Sequence, residues 1–457
     1  MFKCVASEWC QGMFDDRVYI KEAEKHVGET ITLAGWVSRT RDLKKIRFIV
    51  LRDRTGEIQV VVKADSDLFE LNLGREDVIS VTGNAVKSNV ANAGLEFHPD
   101  SIEVVNKSEQ PLPVDILENK KSDLDTRLNY RFLDFRSPTS NAIFTIQNTL
   151  VTAFRGYLSG HGYMEFQPPC IIGSASEGGA DLFAIPYFEK MAFLAQSPQL
   201  YKQMCAISFE KVFTITPIWR AEKFNTPTHL NEVRQMDIEQ AFSNDETVMG
   251  VLEQVLTHML SEAKEKTAEQ LELLGRKLTV PKLPLRRVTY TEAIEMLQGA
   301  GESILWGDDF TKTQEKILTD LVGDEAFFLK DWPGAQKAFY AMPYNKENEA
   351  DAKYLEETYG NVEIGDKIVR AFDCLYSGIE ISSGTMRIHL PELLKERIKY
   401  KGLNPDNFEY YIGAFRYGAP PHAGWSIGME RITMTVTGQD NIRECCMFPR
   451  DRERLVP

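Results

Sequence analysis

A chain of 457 residues is too long for one ordinary hydrophobic core, so two or three domains are expected. With 43% hydrophobic and 26% charged residues it reads as soluble and globular, and no apolar run is long enough for a membrane span. A net charge of −14 argues mildly against a nucleic-acid partner, although Arg39, Arg41, Lys44, Lys45, Arg47, Arg52 and Arg54 form one local basic cluster. The N-terminus lacks the apolar core of a signal peptide, and the 7 scattered cysteines form no disulfide framework, which makes the cytoplasm the expected compartment. Adjacent Cys445 and Cys446 read as buried thiols rather than metal ligands.

After an extension over 1–16, residues 17–107 read as short strands: Thr30–Val37, Arg47–Arg52, Ile58–Lys63, Asp77–Val86 and Leu95–Val105. Gly56, Gly83 and Gly94 punctuate them, and the pattern predicts a small barrel of oligonucleotide-binding type. The polar stretch 108–136, with Pro111 and Pro113, reads as a hinge. From 137 to 457 the elements lengthen. Ser137-Pro138, a cap followed by a first-turn proline, opens a helix to about Ser159, and another is expected over 245–274. Strands expected at 211–222, 232–243, 367–376, 379–388 and 408–415 follow no βαβ repeat. The fold class is therefore α+β: an N-terminal barrel, then a mainly antiparallel sheet flanked by helices.

The richest stretch runs from Ile218 to Phe242 and reads as two strands joined by a polar loop. Alternation puts Arg220 and Glu222 on one face of the first strand, and Asp237 and Glu239 on one face of the second. Met236, Ile238 and Phe242 then point the other way. Such a mix of cation and carboxylates suits a zwitterionic or phosphate-bearing ligand. Further on, Ser377-Gly378 is a two-residue hairpin turn. Counting back from it, Leu375 faces Glu380 and Asp373 faces Ser382, so Asp373 and Glu380 lie diagonally on one face, within reach of a shared cation.

The Ile218–Phe242 stretch closely resembles motif 2 of class II aminoacyl-tRNA synthetases, in the form found in aspartyl-tRNA synthetases of the archaeal type. Leu124–Arg136, Ser176–Gly179, Leu194–Gln203 and Gly378–Gly384 carry the same resemblance, as does Tyr417–Arg450 with Gly428-Met-Glu-Arg431 as motif 3. The resemblance implies an ATP-dependent ligase that makes aspartyl-adenylate and transfers the amino acid to tRNA(Asp), with tRNA(Asn) left open as a second acceptor. By the same resemblance Arg220, Glu380 and Arg431 are catalytic. Arg220, Ala221, Glu222, Thr228, His229, Leu230, Glu380, Gly428, Met429, Glu430 and Arg431 contact ATP. Glu177, Gln199, Leu200, Tyr201, Lys202, Arg220, Asp237, Ser383, Arg387 and His422 surround the aspartate.

Mg²⁺ accompanies ATP on Asp373, Glu380 and Ser383; the counted register leaves Ser383 on the opposite face unless a bulge intervenes. Two cations, Lys202 and Arg387, around the side chain call for an anionic substrate, and asparaginyl enzymes usually carry an acid at the position of Lys202. The loop Ser174–Asp181 resembles a closing lid, and His422, after Pro420-Pro421, a mobile histidine near the pocket. In the barrel, Arg41, Phe48 and Gln59 match residues that stack on and read anticodon bases. Pro169 resembles the motif 1 proline of a homodimer interface.

The pattern breaks in places. Thr228 stands where the family usually has an arginine, Ala423 and Ser426 where it has glycines, and Lys44-Lys45 where Gly-Gly is common. Ser38 holds a position linked with anticodon choice. Two alternatives remain: an asparaginyl-tRNA synthetase or related asparagine synthetase, and a non-catalytic RNA-binding paralogue. The second would be expected to lose Arg220, Glu380 or Arg431, and all three are present.

Overall fold

The computed structural model describes residues 14, 16–89, 94–117, 122–173, 182–223 and 226–457. The chain divides into two compact units, 1–115 and 116–457. In the first unit five strands close into a barrel of order β1-β2-β3-β5-β4. They are β1 (Thr30–Asp42), β2 (Ile46–Arg52), β3 (Glu57–Lys63), β4 (Val78–Lys87) and β5 (Leu95–Asn106). Alternation decides what fills it: Ile49, Leu51, Ile58, Val60 and Val62 point inward with Leu33, Val81 and Phe97. A bulge between Val37 and Arg39 turns Ser38 inward, where it is buried and donates to Glu57 Oε1 at 2.8 Å.

The second unit is built on an eight-stranded sheet of order β12-β13-β14-β15-β16-β11-β10-β6, antiparallel except for the β12/β13 and β10/β6 pairs. Its strands are β6 (Met164–Glu165), β10 (Lys211–Trp219), β11 (Glu232–Ala241), β12 (Arg286–Thr289), β13 (Ala326–Pro333), β14 (Ile368–Tyr376), β15 (Ile379–Met386) and β16 (His422–Gly428). A small sheet of β7 (Ile171–Ile172), β9 (Lys190–Leu194) and β8 (Ala184–Tyr187) completes the unit's strands. One face of the large sheet packs on two long helices. Ile146, Leu150 and Phe154 of the Pro138–Gly160 helix, and Val248, Leu252 and Leu256 of the Asp245–Lys266 helix, meet Phe213, Met236, Ile238, Phe372 and Trp425. The opposite face carries the polar groups.

Ser137 caps the first long helix by accepting from Ser140 N, and Pro138 follows it, as the cap-then-proline pattern predicts. The helix expected over 245–274 breaks at Thr267 into Asp245–Lys266 and Ala268–Leu273. Four expectations are corrected. The stretch 408–415 is not a strand but the 3₁₀ turn Pro405–Phe408 followed by the helix Glu409–Phe415. β10 stops at Trp219, so Arg220 and Glu222 sit in the loop beyond it, and Arg220 N bonds to Asn231 O. Phe242 lies past the end of β11 with φ of 52° and is 73% exposed, so it takes no part in the core. Finally, Asp373 pairs with Ser383 and not with Ser382. Stretch 108–136 contains the boundary between the units and, beyond it, the helices Leu124–Asn129 and Arg131–Asp134. Arg131, fully buried, donates to the carbonyls of Cys446 and Met447 and so ties this segment to the C-terminal region.

Candidate active site

Motif 2 loop, the β14/β15 hairpin and the start of the Met429–Thr437 helix enclose a cavity of about 230 Å³. Arg220, Glu222, Thr228, His229, Leu230, Glu380, Ser383, Gly428, Glu430 and Arg431 line it. Asn231 sets the entry of the loop, its Nδ2 donating to Arg220 O at 2.7 Å and Glu222 O at 3.0 Å. His229 is pushed down to about 4, by burial first and then by Lys312, Arg431 and Arg220, so its ring is neutral at neutral pH. Glu430 is buried and accepts from Arg234 N at 3.0 and 3.2 Å, which makes it a strut beneath β11 as well as a wall of the cavity. Met429 packs against the main core, and Ala221 lines a neighbouring cavity with Trp219 and Arg450.

The acidic hairpin closes one side. Ser377 and Gly378 take φ of 50° and 76°, the left-handed pair that a tight two-residue turn requires. Beyond the turn Leu375 pairs with Glu380 but Cys374 with Ser382, so Ile381 is an extra, bulged residue that drops into the core. That one residue restores Ser383 to the face of Asp373 and Glu380. Arg431 reaches over Glu380 at 3.6 Å and donates to its backbone carbonyl at 3.2 Å. Asp373 is buried and gripped by Lys337 at 2.7 and 2.9 Å. Burial pushes its carboxyl up and Glu380 adds to that, while Lys337 opposes them. A second cavity of about 130 Å³ adjoins through Glu380 and brings in Asp309 and Glu315.

Continuing along β11 from the cavity, Gln235, Asp237 and Glu239 share the polar face. Lys202 Nζ lies 2.7 Å from Asp237 Oδ1 and 3.6 Å from Glu239 Oε2, and Arg387 Nε lies 2.9 Å from Glu239 Oε1. All four side chains are almost fully buried. The expected two cations are therefore together on one face, but each already has a carboxylate, and the quartet is neutral as a whole. Ser426 donates to Asp237 Oδ2 at 3.1 Å and links the quartet to the cavity wall. Gln199, also buried, donates to Gln203 at 2.8 Å. Tyr201 is half-buried, whereas Leu200 belongs to a core cluster with Phe339 and Ile388.

His422, expected as a mobile histidine, is instead built into the sheet. It is the first residue of β16, buried between Gln203 Nε2 at 2.8 Å and Pro420 O at 2.9 Å, and stacked on Phe415. Glu177 and the Ser174–Asp181 stretch lie outside the described residues.

On the barrel, Arg41 pairs with Phe48 across β1/β2 and Val50 with Gln59 across β2/β3. Arg41, Phe48 and Gln59 thus share the outer face, opposite inward Ile49 and Ile58.

Residues 123–452 match the family described as tRNA synthetases class II (D, K and N), and residues 31–105 match the OB-fold nucleic acid binding domain. The chain belongs to the class II tRNA synthetases. It is 43% identical over 448 residues to the "Aspartate--tRNA(Asp/Asn) ligase" of Archaeoglobus fulgidus, covering 96% of this chain and 100% of that one. With the protein of the same name from Methanocaldococcus jannaschii it shares 44% over 436 residues, or 94% and 95% of the two chains. Among solved structures, asparaginyl-tRNA synthetase from Pyrococcus horikoshii with asparaginyl-adenylate superposes with a TM-score of 0.88 at 32% identity, over 96% and 99% of the chains. Aspartyl tRNA synthetase from Entamoeba histolytica gives 0.80, also at 32%, over 96% and 92%.

Alternation already placed Glu239 beside Asp237 on the face suited to a ligand, though without an individual contact, whereas Lys337 and Lys312 were missed. Neither lysine carries a local signal, since each reaches the site from a distant segment.

Proposed function

We propose that this class II synthetase activates L-aspartate with ATP and transfers it to the 3′ end of tRNA(Asp). The aspartate α-carboxylate attacks the α-phosphorus, the bond to the bridging oxygen breaks, and pyrophosphate leaves. A terminal ribose hydroxyl of the tRNA then attacks the aspartyl-adenylate carbonyl, and AMP leaves. Arg220 and Arg431 supply fixed positive charge to the phosphates, and the sheet face positions the amino acid; no protein nucleophile is needed. The observation that carries this reading is the convergence of Lys202 and Arg387 on the same polar face as the cavity of Arg220, Glu380 and Arg431. The substrate β-carboxylate would take over cation contacts now made by Asp237 and Glu239, freeing those two acids for its ammonium group. The names of the archaeal relatives support aspartate as the amino acid and both tRNA(Asp) and tRNA(Asn) as acceptors.

Magnesium fits the hairpin. Asp373, Glu380 and Ser383 offer hard oxygens on one face, and the raised Asp373 carboxyl marks negative charge that burial leaves under-compensated. Among the described residues no group of three or more His, Cys, Asp and Glu could hold a metal ion by itself, so phosphate oxygens would have to complete the shell. When bound there it would neutralise phosphate charge. A homodimer is supported by exposed Met164 and Ile171 on either side of exposed Pro169; light scattering near the 52.0 kDa of one chain would speak against it. The cytoplasm is the compartment of such an enzyme, and among the described residues no helix is long and apolar enough to cross a membrane.

The deciding assay is amino-acid-dependent exchange of pyrophosphate into ATP. Exchange with aspartate and not asparagine is expected. Exchange with asparagine alone would select the asparaginyl alternative, and none with either would select the non-catalytic paralogue. Charging of purified tRNA(Asp) and tRNA(Asn) then fixes the acceptors.

A further inference from the structure

At the rim of the nucleotide cavity a lysine from a distant segment meets the motif 2 loop. Lys312 is the first residue of the Lys312–Val322 helix, and its Nζ donates a hydrogen bond to Thr228 Oγ1. Thr228 lines the cavity beside Arg220, His229 and Arg431. After burial, Lys312 is the largest of three cations that hold the His229 ring neutral, ahead of Arg431 and Arg220. Three positive side chains therefore bear on one imidazole.

Left to itself this placement is unfavourable. An ammonium at the start of an 11-residue helix opposes the helix dipole. Burial and then Arg431 push the Lys312 ammonium down, and Glu315 offsets this only in part. An ordinary lysine there would extend its flexible stem into water. This one instead presents its charge to a neutral hydroxyl among like charges. Two guanidiniums and an ammonium are together complementary to an extended polyanion. Of the three cations, Arg431 also pairs with a carboxylate, that of Glu380, at 3.6 Å.

We infer that Lys312 holds the terminal phosphates of ATP, and pyrophosphate after adenylate formation, in the place of the cation that Thr228 lacks. The inference rests on reading this cavity as the nucleotide site. Thr228 gives the ammonium a neutral partner that a phosphate oxygen displaces. A lysine delivers charge without the rigid two-pronged geometry of an arginine, so it serves a leaving group that must depart.

Calorimetric titration of ATP, pyrophosphate and AMP, without any amino acid, tests this on wild type, Lys312→Ala, Lys312→Arg and the double variant Lys312→Ala/Thr228→Arg. Loss of one charge-assisted contact should weaken ATP and pyrophosphate about tenfold in Lys312→Ala, with AMP changed less than about twofold. Lys312→Arg and the double variant should regain most of the loss. Equal weakening of ATP and AMP, or no change in either, overturns the assignment. A wild type that binds ATP with this pattern but shows no aspartate-dependent exchange would defeat the proposed reaction while upholding Lys312.

Discussion

At the scale of single residues, the two halves of the site differ in how charge is held. In the proposed amino-acid pocket it is cancelled internally: Lys202 and Arg387 each lean on Asp237 or Glu239 in near-complete burial. Removing one partner strands the others, so Lys202→Ala should cost about 3–5 kcal/mol in urea unfolding. In the same variant the KM for aspartate should rise more than tenfold (about 1.4 kcal/mol or more) with the KM for ATP unchanged. A parallel rise in both would reject an amino-acid role for Lys202. Beside the proposed nucleotide cavity, charge is left exposed to neighbours of like sign. Glu315 titrates at about 7, raised by burial, then by Glu380 and, less, by Asp373, with Arg431 opposing. A raised folded value means the protonated carboxyl stabilises fully below the ordinary glutamate value of 4.5, and this is lost as pH climbs through about 7. Glu315→Gln, permanently neutral, should therefore melt about 2 °C or more above wild type near pH 8 and equal it near pH 4.5. Equal offsets at both pH values would contradict this origin. Arg220, Glu380, Arg431 and Lys202 were legible because each sits in a local motif, and Arg387 because it follows one by three residues. Lys312 and Lys337 were not, because only tertiary folding brings them near.

At the scale of elements, alternation and caps carried most of the information. The barrel strands and the Ser137-Pro138 helix start emerge from spacing and capping chemistry alone. The failure at 408–415 has a physical cause: Phe408, Tyr411, Ile412 and Phe415 are buried at helical spacing, while their aromatic, β-favouring side chains imitate a strand. Close strand contact also escapes a one-dimensional reading. A Cβ on Gly424 would stand 2.2 Å from Glu239 Oε2 and 2.3 Å from Ile238 O, where β16 crosses β11. Gly424→Ala should cost about 1–3 kcal/mol and displace Glu239 from Arg387, visible as a raised aspartate KM. Wild-type stability together with wild-type KM would show that the strands yield freely.

At the scale of the whole molecule, each unit has its own hydrophobic core, one inside the barrel and one beneath the large sheet. A fragment ending at Asp115 is therefore expected to fold alone and to bind an anticodon stem-loop RNA. Phe48→Ala in that fragment should lose about 1–3 kcal/mol of RNA affinity, while the same change in the full chain leaves pyrophosphate exchange intact. Unaltered RNA binding would remove Phe48 from the recognition face. The division was partly legible, since strand spacing gives way to long periodic segments. The helices inside 124–134 were hidden, because their polar residues, Arg131 above all, are fastened to a C-terminal region over 300 positions away.

The bulge at Ile381 has an evolutionary corollary. Because Ser382 and Ser383 are identical, sliding the hairpin by one residue would still present a hydroxyl to Asp373. The slip is instead forbidden downstream, where Gly384 lies so close to Phe372 that a Cβ would come within 2.4 Å of its ring. A one-residue insertion or deletion at the Ser377–Gly378 tip would instead move Glu380 past Asp373 while Gly384 stays anchored, so the length of this turn is tied to the carboxylate that follows it.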